Sequence, residues 1–255
     1  MWLIRVSDYT LHEFLPGKIP EYAILSHTWG SDEVSFRDMD ERPRAARKKL
    51  GFCKIKGCCK RAAADGHNGH GSAELSEAIN SMFEWYHKAE VCYIYLEDVS
   101  DRGLSLYHDE DEFSKSRWFT RGWTLQELIA PNFKLFFSAP GCCLESIPEN
   151  LQRLHPSTRS ITKRLSPYSI AQRLSWAAKR VTSRPEDAAY CLMGLFDVHM
   201  PIIYGEGLEK AFRRLQLEFV NSSADETLFA WQEIGDGDQG LMLDDRQRSG
   251  PFSVH

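Results

Sequence analysis

Chemistry in this chain concentrates in "SRWFTRGWTLQELIAP", residues 116–131, where two arginines, two tryptophans and one glutamate lie close together. If "TRGWTLQELIA" is helical, Trp123 and Glu127 stand at i and i+4, which sets a carboxylate beside an indole. An aromatic neighbour that excludes water raises a carboxylate's pKa and readies it for acid/base work or for stabilising a cation. Arg117 and Arg121 precede the helix, with two roles open to them: holding an anionic ligand or pairing with Glu127. Spacing alone leaves a catalytic carboxylate as one reading and gives a structural arginine–glutamate pair the larger share.

Other clusters carry less. Cys53, Cys58, Cys59, His67 and His70 are close in sequence, but Cys53-x4-Cys58 and His67-x2-His70 fit the common zinc spacings poorly. The cysteines fall at helical, core-facing positions where a small apolar side chain suffices, so no metal is expected. "RPRAARKKL" (42–50) is basic and fits a solvated helix face. There is no G-x-x-x-x-G-K-[ST], no G-x-G-x-x-G after a strand and no G-x-S-x-G, which removes support for the common nucleotide folds and the simplest hydrolase.

These residues must be positioned by a fold, and the 255-residue chain is long enough for one large domain or a domain with a helical extension. A net charge of -5 argues against a dedicated nucleic-acid binder. No apolar run reaches the roughly 18–20 residues of a membrane helix. The N-terminal "MWLIRVSDYTLHEF" interrupts its apolar start with Arg5 and Asp8, unlike a signal peptide. Seven cysteines, with adjacent pairs Cys58–Cys59 and Cys142–Cys143, suit reduced thiols and a cytoplasmic location.

The runs "YAILSHTW" (22–29), "VCYIYL" (91–96) and "FKLFF" (133–137) predict buried strands, the first opening into a loop at Gly30. "SAELSEAINSMFEWYHKA" (72–89) predicts a helix with Leu75, Ala78, Ile79, Met82, Tyr86 and Ala89 on one face. Helix, strand and acidic loop in succession give an α/β unit with a mainly parallel sheet, and such folds place ligands at the carboxyl ends of strands. "YHDEDEFSKS" (107–116) predicts a charged surface loop. "SIAQRLSWAAKRV", "PEDAAYCLMGLFDV" and "GLEKAFRRLQLEFV" predict three helices, and "TLFAWQ" (227–232) a short strand. The organisation expected is an α/β domain over 1–145, a helical segment over 146–232 and a polar, glycine-rich tail over 233–255.

Together, "YAILSHTWG", "SAELSEAINSMFEWYHKAEVCYIYLEDV", "SRWFTRGWTLQELIAP" and "EDAAYCLMGLFDVHMPIIYGEGLEKAFRRLQLEF" resemble the heterokaryon incompatibility (HET) domain of filamentous fungi and the segment that succeeds it, over about residues 1–232. The resemblance implies a cell-death effector in nonself recognition, partnered by copies of itself or by other effector or receptor proteins. That family is in turn distantly similar to Toll/interleukin-1 receptor (TIR) domains, which implies a TIR-like sheet flanked by helices. "RGWTLQEL" is similar to the TIR helix whose glutamate is catalytic, and the match falls on Glu127. The resemblance further implies NAD as a candidate substrate, with no cofactor beyond it, and an oxocarbenium-like ribose stabilised by Glu127. Ser26, Trp29 and Gly30 would line the cleft with Trp123, and Arg117 or Arg121 would clamp phosphate. A non-catalytic self-association module and an inactive relic are the alternatives. The chain departs from the family near 67–71, where a strand bearing a Trp-Ile-Asp and Cys-Ile-Asp motif is expected. Here "HNGHG" takes its place, which implies a missing central strand.

Overall fold

In the computed structural model the described residues are 1–67, 70–73, 79–99, 110–138, 145–146, 165 and 168–222. Among them seven strands form one sheet: β1 (Trp2–Arg5), β2 (Leu11–Glu13), β3 (Tyr22–His27), β4 (His70–Ala73), β5 (Val91–Leu96), β6 (Lys134–Ser138) and β7 (Glu145–Ser146). Their order is β2-β1-β4-β3-β5-β6-β7. The central four, β4, β3, β5 and β6, run parallel, and antiparallel pairings of β1 with β4 and β2, and of β6 with β7, finish the edges. The expected α/β class with a mainly parallel sheet flanked by helices is the one observed.

β5 is buried at every position, and β3 at all but its last residue. Helices cover both faces of the sheet, so neither strand alternates apolar with polar. Ala23 and Leu25 of β3 point into a core with Tyr93 and Tyr95 of β5. That core is closed by α1 (Phe36–Glu41), α2 (Pro43–Ala46) and α3 (Phe52–Ala64). α1 starts at a reciprocal cap between Ser35 and Asp38. Cys58 and Cys59 of α3 are free thiols buried in this core, and burial pushes the Cys59 thiol up to about 12.

Ile24 of β3 and Cys92, Ile94 and Leu96 of β5 point to the opposite face. There α4 (Met82–Lys88), α5 (Glu110–Ser114) and α6 (Thr124–Ile129) pack with four later helices: α7 (Ile170–Ser175), α8 (Asp187–Tyr190), α9 (Met193–Phe196) and α10 (Leu208–Ser222). The core runs without a break from the sheet into these C-terminal helices. Gly194 marks a tight approach. A Cβ there would stand 2.3 Å from Phe83 Cβ and 2.7 Å from Gln126 Oε1, so only glycine lets α9 meet α4 and α6.

Several local expectations give way to tertiary pairing. Among the described residues of the helix expected over 72–89, the α-helix covers Met82–Lys88, preceded by a 3-10 turn at Ile79–Ser81. Residues 72 and 73 belong to β4 instead, and Leu75 and Ala78 lie outside the described residues. β4 pairs with β1 and β3, so the sheet is continuous where the family comparison implied a missing strand. Within the surface stretch 107–116 the chain forms α5, anchored by buried Phe113. "PEDAAYCLMGLFDV" breaks into α8 and α9 and ends at Asp197 in the left-handed conformation, and "SIAQRLSWAAKRV" is helical only over α7. The strand expected at 227–232, the tail over 233–255 and Cys142–Cys143 lie outside the described residues.

Candidate functional site

Glu127 sits in the first turn of α6, which reaches the sheet near the carboxyl end of β3. The approach is fixed by the loop after β5. Asp98 accepts from the Ser116 hydroxyl at 2.6 Å and from the Arg117 backbone N–H at 2.7 Å. Ser116 in turn caps the 3-10 turn Arg117–Thr120, and that turn delivers Trp118 into the core. The Trp118 indole N–H donates to Ser26 Oγ at 2.7 Å, and the Ser26 hydroxyl donates to Glu127 Oε2. Indole, hydroxyl and carboxylate thus form one directional chain. Ser26 and Trp118 are fully buried and Glu127 is 6% exposed.

A cation lies behind this chain. Arg180 is buried, and its Nη1 donates to the Arg121 carbonyl at 2.8 Å and to Thr124 Oγ1 at 2.9 Å. The Thr124 hydroxyl donates onward to the Trp118 carbonyl at 2.5 Å. Burial pulls the Arg180 guanidinium down to about 10, against the opposing pull of the Glu127 charge. Arg180 remains protonated at neutral pH and supplies positive potential to the carboxylate. Its position depends on a backbone splice, in which Val181 N donates to the Thr120 carbonyl at 2.7 Å and Gly122 N to the Val181 carbonyl at 2.8 Å. Gly122 permits the splice, since a Cβ there would stand 2.5 Å from Thr182 Cγ2.

The residues singled out from sequence separate into groups. Ser26 and Glu127 are brought into direct contact. Arg117 instead meets Glu97 and Asp98, at 3.5 Å each, and Arg121 donates to Ser183 Oγ at 3.3 Å. Trp123 bonds to the Asp187 carboxylate. Burial raises the Asp187 pKa, against the lowering effect of the bonds from Trp123 and Tyr204. The indole hydrogen-bonded into the Glu127 chain is that of Trp118. Trp29 is 58% exposed in the loop after β3, and Gly30 donates its N–H to Glu33 Oε1 at 3.0 Å. Sequence reasoning had the motif that contains Trp118 but took the other tryptophan as the partner. Arg180 left no local signal, because a splice between distant segments brings it in.

A buried carboxylate that accepts from a serine hydroxyl, with a guanidinium close by, can do two things chemically. It can hold the strand, the turn and the helix in register, or it can present negative charge to a developing cation once a ligand opens the site. Among the described residues no helix is long and apolar enough to cross a membrane.

The chain is 45% identical over 221 residues to vegetative incompatibility protein HET-E-1 of Podospora anserina, an alignment covering 78% of this chain. It spans only 16% of that relative's length. The chain is therefore related to a heterokaryon incompatibility protein. No family model matches it, and no solved structure matches it significantly.

Proposed function

We propose that the chain, related as it is to a vegetative incompatibility protein, acts in fungal nonself recognition as a cell-death effector domain, with Glu127 as the residue on which that output depends. The observation that carries this reading is the Trp118–Ser26–Glu127 hydrogen-bond chain at the carboxyl edge of a parallel sheet. Ligands of open α/β sheets enter at that edge.

The chemistry proposed is the TIR-like hydrolysis of NAD. The bond between ribose and nicotinamide breaks, nicotinamide leaves with the bonding electrons, and the Glu127 carboxylate stabilises the oxocarbenium-like ribose. Water then adds to the ribose and releases one proton, so that NAD and water give ADP-ribose, nicotinamide and a proton. Ser26 orients the carboxylate, and the nearby Arg180 charge offsets its negative charge. Incubation of the purified chain with NAD should release nicotinamide, and Glu127→Gln, which keeps size and hydrogen-bonding capacity, should abolish the release. A folded wild-type chain that releases none sinks the catalytic reading.

The burial of Ser26, Trp118 and Glu127 favours a second reading, in which the chain is a non-catalytic self-association or signalling module and the same network is structural. Expression in a fungal host separates the two. Cell death that survives Glu127→Gln supports the module, and death lost with that variant while the protein stays folded supports catalysis.

A further inference from the structure

The strand order contains a switch point away from Glu127. After β3 the chain moves to one side to make β4, then returns past β3 to make β5 on the other side. The first connection, through α1–α3, covers one face of the sheet, and the second, through α4, covers the other. At such a reversal the two connections diverge and leave a crevice between the carboxyl ends of the flanking strands, here β3 and β5. A cleft of about 710 Å³ lies there, on the α3 face, and Ser26 and Glu127 lie on the opposite face. Its walls come from Gly30 and Glu33 after β3, Tyr95 and Glu97 at the end of β5, and residues before and within α3. The volume is that of a small-molecule site.

We propose that this cleft binds a phosphate-bearing small molecule of nucleotide size, independently of whatever reaction Glu127 performs. The electrostatics set the sign of the ligand. Each acidic group lining the cleft already has partners in the protein. Glu33 accepts from Lys54, lies 3.4 Å from His27 and takes the Gly30 N–H. Asp32 accepts the Leu50 N–H at 2.8 Å, and Glu97 lies 3.7 Å from Lys54 and 3.5 Å from Arg117. Two of the cations differ. Arg47 donates to the Asp8 backbone carbonyl and lies over the Tyr9 ring, and Lys56 is exposed. Among the described residues neither has a carboxylate partner. Asp32 has only a neutral donor, so the two unpaired cations outnumber the one unpaired carboxylate and leave the rim a net positive charge, which favours an anion.

Rigidity and aromatic surface point to the rest of the ligand. Lys54 is buried, donates to the Thr28 carbonyl at 3.0 Å as well as to Glu33, and lies 5.9 Å from the Tyr95 ring. It fixes the loop after β3 against α3, so the cleft is formed before a ligand arrives. Gly51 closes the same joint, because a Cβ there would stand 2.9 Å from Glu33 Cα. Tyr9 and Phe52, edge to face at 5.7 Å, and Tyr95 give the cleft apolar rings against which a flat heterocycle can pack.

Calorimetric titration of the full chain with ADP and with inorganic pyrophosphate tests this. ADP should bind, more tightly than pyrophosphate, and the affinity should fall as salt is raised. Lys56→Glu and Arg47→Glu, both at exposed positions, should each weaken ADP binding by about tenfold or more while circular dichroism and melting stay at wild-type values. Absence of binding by folded wild-type chain overturns the proposal, as does ADP affinity indifferent to both charge reversals. Pyrophosphate binding as tightly as ADP overturns the assignment of the rings. Loss of ADP binding in a folded Glu127→Gln chain places the nucleotide on the other face and also overturns it. NAD hydrolysis can fail while ADP binding persists, so the two readings stand or fall separately.

Discussion

Ser26 donates its hydroxyl hydrogen to Glu127 across 101 positions of sequence, and the same oxygen accepts the Trp118 indole N–H at 2.7 Å. One hydroxyl therefore joins strand β3, the turn before α6 and the helix α6 itself. This is why the strand and the "WTLQEL" helix act as a unit, whether that unit is catalytic or structural.

The first consequence is energetic. Ser26→Ala removes the acceptor of a buried indole N–H and one donor to a buried carboxylate. Leaving such groups unsatisfied costs about 1–3 kcal/mol. The urea midpoint should fall accordingly with an unchanged m-value. A shift of only a few tenths of a kcal/mol would mean that the chain of bonds contributes nothing to the fold.

The loop after β3 offers a steric contrast between two glycines. A Cβ on Gly51 would stand 2.5 Å from Glu33 Oε2 and 2.9 Å from its Cα, whereas one on Gly30 would meet only Glu33 Oε1 at 3.6 Å. Gly51→Ala must displace backbone and should cost roughly 1–3 kcal/mol in thermal or chemical denaturation. Gly30→Ala should cost well under that. Equal effects would contradict the close packing of this loop on the start of α3.

Legibility in the sequence tracked locality. β3, β5 and β6 could be read because both faces are covered and their apolar runs are continuous. α6 could be read from its spacing and from Pro131 beyond its end. β4 could not, because His70–Ala73 has little intrinsic strand preference and is held by the neighbours that flank it. Arg180 was invisible for a related reason, reaching the Arg121 carbonyl from 59 positions away. The cleft acids and cations were visible as residue types, but which of them cancel one another is a property of the folded loops.

Glu33 should make stability depend on acid. Burial pushes its carboxyl up, but hydrogen bonds with His27 and Lys54 outweigh this and hold it at about 2, below a usual value of 4.5. A depressed carboxylate contributes stability above the unfolded value and loses it as pH falls through the folded one. The loss should therefore run from about pH 4.5 down to about pH 2, and amount to roughly 1–3 kcal/mol after screening. In Glu33→Gln the wild-type-minus-variant difference in unfolding free energy should shrink across this window. A difference that stays constant there would show that Glu33 is not held in the ionised form.

Arg180 and Glu127 should be energetically coupled. The guanidinium is buried, bonds to Thr124 Oγ1 and the Arg121 carbonyl, and feels the Glu127 charge. Arg180→Met leaves Glu127 without that compensating field and also removes the donor to three acceptors, the Arg121 and Trp176 carbonyls and Thr124 Oγ1, which should cost about 3–5 kcal/mol. Glu127→Gln removes the negative charge but keeps an acceptor for Ser26, and should cost less. With both changes made, neither charge remains to be compensated, so the double variant should lose less than the sum of the single losses. The difference should be about 0.5–3 kcal/mol in a double-mutant cycle measured by urea denaturation. Strict additivity would mean that Arg180 serves only as a hydrogen-bond donor to the splice between Thr120 and Val181, and that the carboxylate is held by Ser26 and its other contacts alone.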